Sequence, residues 1–215
     1  MKRITLFTFF SAILTMASLH TRAQDGYALD FDGTDDFVAL PMSYTTSGIQ
    51  ELSVCGWVRL FGDGGGWSVI DFDRSEYFNL EVGWNDRSTS VVNFATTDNS
   101  GAIHDMQGTV NVRDGSWHFI CAVFDGTDKY IYVDGVQDAV SLNPHGGLPL
   151  GTGTARYGFI GDGSEAPFFN GSRNNFYFDG LVDNVSVWDT VLDPAWINDI
   201  MNNGIPSPAT QPNLE

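Results

Sequence analysis

Short runs of apolar and β-branched residues recur along the chain and are separated by turns rich in glycine and aspartate. Within several runs the apolar residues alternate with polar ones, as they do in a strand with one buried face. Many short strands joined by tight turns are typical of a β-sandwich or barrel. The pattern predicts strands at 28–31, 37–40, 52–60, 67–72, 77–82, 90–95, 117–124, 129–133, 158–160, 176–178 and 181–188.

The clearest turn signal is the dipeptide Asp134-Gly135 in "YIYVDGVQDAV". An Asp-Gly pair between alternating runs favours a two-residue β-hairpin. We expect Ile131 and Val133 to lie on one face of the first strand and the neighbouring tyrosines on the other.

One helix is predicted near the C-terminal end. Asp193 is a suitable N-cap, Pro194 suits the first helical position, and Gly204 can end the helix. Ile197 and Ile200 then share one face, so the helix should pack on the sandwich.

The two ends of the chain differ from the middle. Residues 1–23 begin with Met-Lys-Arg, continue through an apolar run and end in small residues, which predicts a secretory signal cleaved after Ala23. A membrane anchor is the alternative, although the run is shorter than a spanning helix needs. Residues 205–215 are rich in proline and polar residues and are predicted to be a linker or tail, which leaves one domain at 24–204.

The chain is strongly acidic, with a formal net charge of -17. Removal of residues 1–23 deletes Lys2, Arg3 and Arg22 and no acid, which gives -17 - 3 = -20. Such a charge repels nucleic acids and anionic lipid surfaces, so neither is an expected partner. The remaining residues suffice for one sizeable all-β core.

Two cysteines, Cys55 and Cys121, lie inside separate predicted strands. In an exported protein an even number of cysteines favours a disulfide. Two buried free thiols are the alternative that the spacing leaves open.

Four segments taken together resemble a known family. "ALDFDGTDDFVALP", "LSVCGWVRL", "DGSWHFICAVFDGTDKYIYVDGV" and "FDGLVDNVSVWDTVLDPAWINDIM" are similar to successive landmarks of laminin G-like domains, especially their pentraxin-like bacterial branch. The resemblance covers most of residues 26–203. It implies an all-β, concanavalin A-like jelly-roll sandwich of two antiparallel sheets with one short C-terminal helix. It also implies a disulfide between Cys55 and Cys121, which occupy the positions of the pentraxin bridge.

The sequence argues against an enzyme. Hydrolases of this fold carry an E-x-D-x-x-E strand, which is absent here. Glu76 and Glu81 are the nearest pair, but their odd spacing places them on opposite faces of one regular strand. H-E-x-x-H and G-x-S-x-G are also absent. A glycan-active hydrolase assembled from distant strands is the alternative.

Calcium is the expected cofactor, because aspartate-rich turns offer the oxygen ligands that it prefers. By resemblance to concanavalin-like sandwiches, Asp30 and Asp183 are candidate ligands of a structural calcium. Asp162 and Glu165 match the acidic loop through which pentraxins hold calcium and ligand. The alternative is that these acids face solvent or cap turns.

Aromatic side chains near strand ends are candidate platforms for stacking sugars, or else ordinary packing residues. They are Trp67, Trp84, Tyr157 and Phe169. The sequence therefore predicts a secreted or cell-surface, non-catalytic binding module for glycans or extracellular proteins. A structural spacer within a larger surface protein is a third interpretation.

Overall fold

The computed structural model describes residues 27–61, 66–83 and 89–206. These residues form two six-stranded antiparallel sheets, a two-stranded ribbon and one helix. The predicted signal segment and Trp84 lie outside the described residues.

The first six-stranded sheet, sheet A, has the strand order β1-β14-β4-β9-β10-β11. Its strands are β1 (Leu29–Asp32), β4 (Leu52–Arg59), β9 (Trp117–Phe124), β10 (Lys129–Val133), β11 (Val136–Ser141) and β14 (Asp179–Trp188).

The second, sheet B, has the order β2-β13-β5-β6-β7-β8. Its strands are β2 (Val38–Tyr44), β5 (Trp67–Asp71), β6 (Phe78–Val82), β7 (Val92–Thr97), β8 (Ile103–Gln107) and β13 (Arg156–Ile160). The ribbon pairs β3 (Ser47–Ile49) with β12 (Leu150–Thr152), and the helix is α1 (Pro194–Asn203). Two stacked antiparallel sheets with one short helix confirm the predicted jelly-roll sandwich.

The main core fills the space between the two sheets. Alternate residues of the inner strands point into it, among them Val54 and Val58 of β4 and Phe78 and Leu80 of β6. All four are fully buried. Burial of a side chain of this size stabilises a fold by roughly 1.5–3 kcal/mol, so this layer supplies most of the driving force for folding.

A second core covers the outer face of sheet A. The helix lays Ile197 and Ile200 on it, over Trp57 and the disulfide between Cys55 and Cys121. The two cysteines lie directly opposite each other on β4 and β9. The bridge and the predicted helix face are therefore both confirmed.

The helix begins and ends as its sequence predicts. The Asp193 carboxylate accepts a hydrogen bond from Trp196 N at 2.8 Å, and Pro194 follows it in the first turn. Gly204 closes the helix at a φ of 84°, and its N–H donates to Ile200 O at 2.8 Å. A positive φ is costly for other residues, which explains the glycine.

A buried lysine crosses the main core. Lys129 starts β10 in sheet A and is fully buried. Its Nζ donates to Phe94 O at 2.7 Å and to His104 O at 2.6 Å, both in sheet B. Burial lowers the pKa of Lys129 to about 7.

The predicted strands agree with the observed ones except at a few places. The segment 176–178 is irregular, because its backbone bonds to isolated partners such as Gly161 O, which accepts from Phe178 N. β3, β8 and β12 were not predicted: β3 and β12 have three residues each, and the β8 sequence IHDMQ has only two apolar residues. No described helix is long and apolar enough to span a membrane.

Candidate functional site

Polar side chains occupy the outer face of sheet B, on the side away from the core. Strand pairing arranges them in two rows that run across β5, β6, β7 and β8. The first row is Ser68, Glu81, Asn93 and Gln107, and the second is Asp71, Asn79, Ala95 and Asp105. We call these two rows the polar face.

A β-bulge in β5 is needed to build this face. Ser68 pairs with Glu81, but the register shifts before Ile70, which pairs with Leu80. Without the shift, Ser68 and Asp71 would point to opposite sides of the sheet, because their spacing is odd. The extra residue turns Asp71 to the outer side, as bulges commonly do near functional sites.

Most of the polar face is buried. Ser68, Asp71, Asn79 and Asn93 are each at most 1% exposed, and Glu81 is 5% exposed. Asp105 and Gln107 on the edge strand β8 are exposed. The face is therefore covered over β5 to β7 and exposed at β8.

Asn79 lies in the covered part, and its amide nitrogen is occupied. Nδ2 donates to Ser68 Oγ at 3.4 Å and to Glu81 Oε2 at 3.3 Å. In the described part of the chain, Asn79 Oδ1 has no hydrogen-bond partner. A buried carbonyl oxygen in that state costs free energy unless water or a ligand donates to it.

Asn93, one strand away, is in the same state. Its Nδ2 donates to Val91 O at 3.4 Å, and its buried Oδ1 has no partner within the described ranges. Asn93 lies directly opposite Glu81, which is two residues from Asn79 on β6. Two unfilled acceptors therefore flank one glutamate on one face of the sheet.

Two of the carboxyl groups on this face have raised pKa values. Burial, with the nearby Asp105 as a lesser cause, raises the pKa of Glu81 to about 7, although Arg74 and Asn79 act in the other direction. Burial also raises the pKa of Asp71 well above its usual range. Asp71 Oδ1 accepts from Asp73 N at 2.5 Å. At neutral pH the face is thus less negative than its acid content suggests.

A charged pair borders the exposed side. Arg74 Nε donates to Asp105 Oδ1 at 2.8 Å, and its Nη2 pairs with the other oxygen of that carboxylate. Such bidentate pairing fixes the planar guanidinium in one orientation. The positive charge next to the polar face is therefore already matched by Asp105.

The loop between β13 and β14, residues 161–178, contacts the polar face where the Ser164 backbone hydrogen-bonds the Asp71 carboxylate. Asp162 holds it in shape: the fully buried Oδ1 accepts from Gly163 N and Phe176 N, both at 2.7 Å. Arg173 packs over the Phe37 ring, 3.7 Å from its centroid, and its Nη1 lies 3.6 Å from Asp162 Oδ2. Asp162 is thus buried and positions the loop, while its Oδ2 has no hydrogen-bond partner among the described residues. Ligand contact by Asp162 stays a prediction.

The same loop carries two exposed aromatic rings. Phe168 is 62% exposed and Phe169 is 53% exposed. The Phe169 ring meets Tyr157 edge to face, with centroids 6.5 Å apart. Two neighbouring exposed rings offer an apolar surface that suits stacking on a ligand.

The other predicted ligand-binding residues are spread around this region. Trp67 is half-buried and stacks on Phe176 at 4.7 Å. Glu165 is exposed on the loop. Trp84 is not among the described residues. Direct ligand contact by these side chains stays a prediction.

The predicted calcium ligands Asp30 and Asp183 lie on one face of sheet A. Asp30 pairs with Leu181, two residues from Asp183, so both aspartates point to the outer side of sheet A. Among the described residues no three His, Cys, Asp or Glu side chains are grouped to hold a metal ion. Calcium binding by Asp30 and Asp183 stays a prediction.

Sequence reasoning missed the polar face. Glu81 was considered only with Glu76, which lies in a turn and pairs instead with Arg156, 3.3 Å away. Its real neighbours come from other strands, Asn93 by pairing and Asp71 by the bulge. The signal that could have found them is the alternation of polar with apolar residues in "FNLEV" and "VNFAT".

The chain matches known proteins at the level of fold. A family model described as the concanavalin A-like lectin/glucanases superfamily matches residues 32–198. No curated protein sequence matches significantly.

Solved structures similar to this one include a pentraxin, a domain of an arabinanase and a domain of a neurotoxin. A heptameric pentraxin from Limulus polyphemus is 16% identical, with a TM-score of 0.59 over 80% of each chain. Domain 4 of an extracellular arabinanase from Geobacillus stearothermophilus, in complex with arabinotriose, is 18% identical, with a TM-score of 0.58 over 83% of this chain and 78% of that one.

A third similar structure is the ligand-binding domain of botulinum neurotoxin serotype D in complex with N-acetylneuraminic acid. It is 10% identical, with a TM-score of 0.56 over 82% of this chain and 41% of that one, so this chain spans less than half of its length. At these identities the likeness establishes the fold. With a family model that covers most of its length, the chain belongs to the concanavalin A-like lectin/glucanase superfamily.

Proposed function

We propose that this protein is an exported, non-catalytic binding module that recognises glycans through the polar face of sheet B. The observation that carries the proposal is the pair of buried acceptors, Asn79 Oδ1 and Asn93 Oδ1, that no described group fills. Sugar hydroxyls are the donors best suited to such oxygens, since each carries one O–H. Ligand hydroxyls at these positions would supply donors to two buried oxygens that no described protein group satisfies.

The rim of the face supports the same function. Phe168 and Phe169 present exposed rings on the loop next to it. Sugar rings have apolar faces and polar edges, so sites for them combine an aromatic surface with a few fixed polar groups. Sheet B and the adjoining loop provide both.

The similar structures are consistent with a binding role. The arabinanase domain is described in complex with arabinotriose and the toxin domain with N-acetylneuraminic acid. Because one fold hosts many functions, this support is by analogy, and the proposal depends on the residues of the polar face.

A hydrolase is the second candidate, and one observation favours it. Asp71 and Glu81 bring two carboxyl groups to the same face, and both have raised pKa values. Glycoside hydrolysis uses two carboxyl groups, one protonated and one ionised. Asp71, however, is fully buried and already accepts the Asp73 N–H, which favours a structural role for it.

A glycan array read with the wild-type protein and with N79A and N93A variants tests the proposal. We expect wild type to bind a restricted set of glycans and both variants to lose that binding while their unfolding temperatures show a folded protein. N202A is the matched control, because Asn202 lies exposed on the helix at the opposite side of the sandwich. Release of reducing sugar from any bound glycan would instead support the hydrolase.

A further inference from the structure

The chemistry of the polar face also selects a class of glycan. We propose that the site takes neutral, hydroxyl-rich sugars and rejects sugars that carry a carboxylate, such as uronic or sialic acids. This inference rests on the proposed function and extends it to specificity.

The first argument is the balance of donors and acceptors. The donors of both asparagines are occupied within the protein, Asn79 Nδ2 by Ser68 Oγ and Glu81 Oε2, and Asn93 Nδ2 by Val91 O. The two buried atoms without a partner among the described residues, Asn79 Oδ1 and Asn93 Oδ1, accept only. A ligand must therefore supply N–H or O–H groups at these two positions, which a carboxylate oxygen is unable to do.

The second argument is the charge around those acceptors. Three acids share the face, Asp71 and Glu81 in its covered part and Asp105 at the exposed edge. The neighbouring cation, Arg74, is held by both oxygens of Asp105. Above neutral pH, where Glu81 is ionised, an anionic sugar would meet a like charge beside a guanidinium that is already paired, and like charges at an interface cost several kcal/mol.

Two other arginines among the described residues lie near the site, and each contacts acids or a ring, although Arg173 Nη1 itself has no hydrogen-bond partner there. Arg173 packs on the Phe37 ring beside Asp162, and Arg156 pairs with Asp73 at 2.5 Å and with Glu76. A sugar carboxylate is usually bound by an arginine whose guanidinium donates two hydrogen bonds to it. The strongly negative net charge of -17 also repels anionic sugars at long range.

The selectivity should grow with pH. Glu81, whose pKa is about 7, faces Asn93 and Ser68 on the neighbouring strands and is influenced by Arg74 and Asp105. As it ionises above neutrality, a second carboxylate nearby becomes less favourable. A neutral sugar carries no charge to oppose and can still donate to the ionised Glu81.

Binding of matched neutral and acidic sugars to the wild-type protein tests the inference. The probes are lactose with sialyllactose, galactan oligomers with polygalacturonate oligomers, and arabinotriose as a further neutral sugar, each titrated at pH 6 and pH 8 by calorimetry. We expect at least one neutral probe to bind more tightly than its acidic partner by about tenfold or more, with the larger ratio at pH 8.

The outcomes separate this inference from the function on which it rests. Equal or tighter binding of the acidic partner would overturn the selectivity and leave glycan binding in place. Absence of binding to every probe and to a broad array would overturn both. A folded N93A variant that loses the neutral sugar, beside an N202A variant that keeps it, would assign the selectivity to this face.

Discussion

Asp71 and Glu81 lie on the same face of sheet B, on adjacent strands, because the bulge in β5 turns Asp71 outward. Both carboxyl groups are almost completely buried, and burial is the main cause of both raised pKa values. A buried acid that gains a proton on folding has a clear consequence for stability.

The Glu81→Gln variant should change how stability depends on pH. The pKa of Glu81 is about 7 in the folded protein, against 4.5 for an ordinary glutamate. Between these values the folded state holds a proton that the unfolded state has lost, so the free energy of unfolding falls as pH rises. Each pH unit between the two pKa values lowers the free energy of unfolding by about 1.4 kcal/mol.

Urea unfolding between pH 4.5 and pH 8 measures this effect. We expect E81Q to gain stability relative to wild type as pH rises, by up to roughly 3 kcal/mol at pH 8. The control is E165Q, since Glu165 is exposed. An E81Q curve parallel to wild type would show that Glu81 titrates normally.

Lys129 should act in the opposite direction at higher pH. Its pKa is about 7 in the core, against 10.5 in the unfolded chain. Between these values the unfolded state binds the extra proton, so the free energy of unfolding rises with pH. We expect the free energy of unfolding of wild type, minus that of K129M, to increase above pH 7 by up to about 1.4 kcal/mol per pH unit. A constant difference up to pH 10 would contradict the lowered pKa.

Loss of the Cys55–Cys121 bridge should destabilise the domain. The bridge closes a loop with a sequence separation of 66, for which the chain-entropy model gives about 4 kcal/mol. Comparison of C55A/C121A with wild type in urea measures this. Wild type under strong reductant provides a second reading, and a change of less than about 1 kcal/mol in both would show that the bridge adds little.

Phe169 should contribute to glycan affinity and little to stability. Its ring is 53% exposed, so F169A removes few packing contacts. If the ring stacks on a sugar, its loss should weaken binding by roughly fivefold to tenfold. L142A is the control, because Leu142 is 74% exposed beyond the end of β11. Unchanged affinity in F169A and F168A would remove the aromatic rim from the site.

The fold was predictable because its signals are local. Asp134 and Gly135 both have positive φ values, 51° and 77°, as the hairpin between β10 and β11 requires. The helix likewise carries its cap, first-turn proline and terminal glycine within one segment. Each of these features is decided by residues a few positions apart.

The candidate site was not predictable because it depends on register between distant strands. Asn93 and Glu81 are neighbours only through pairing of β6 with β7, and Asp71 joins them only through a bulge. The backbone hydrogen bonds that Asp162 Oδ1 accepts from Gly163 and Phe176 likewise depend on how the loop folds. Neither the strand register nor the loop hydrogen bonds follow from the local residue pattern of the sequence.

The most direct test is to follow the side-chain amide signals of Asn79 and Asn93 by NMR during titration with the neutral oligosaccharide that binds best on the array. The account predicts that both signals shift and saturate together with the binding curve, while that of Asn202 on the helix stays in place. Saturable binding that leaves both signals unmoved and shifts residues on the outer face of sheet A would contradict it.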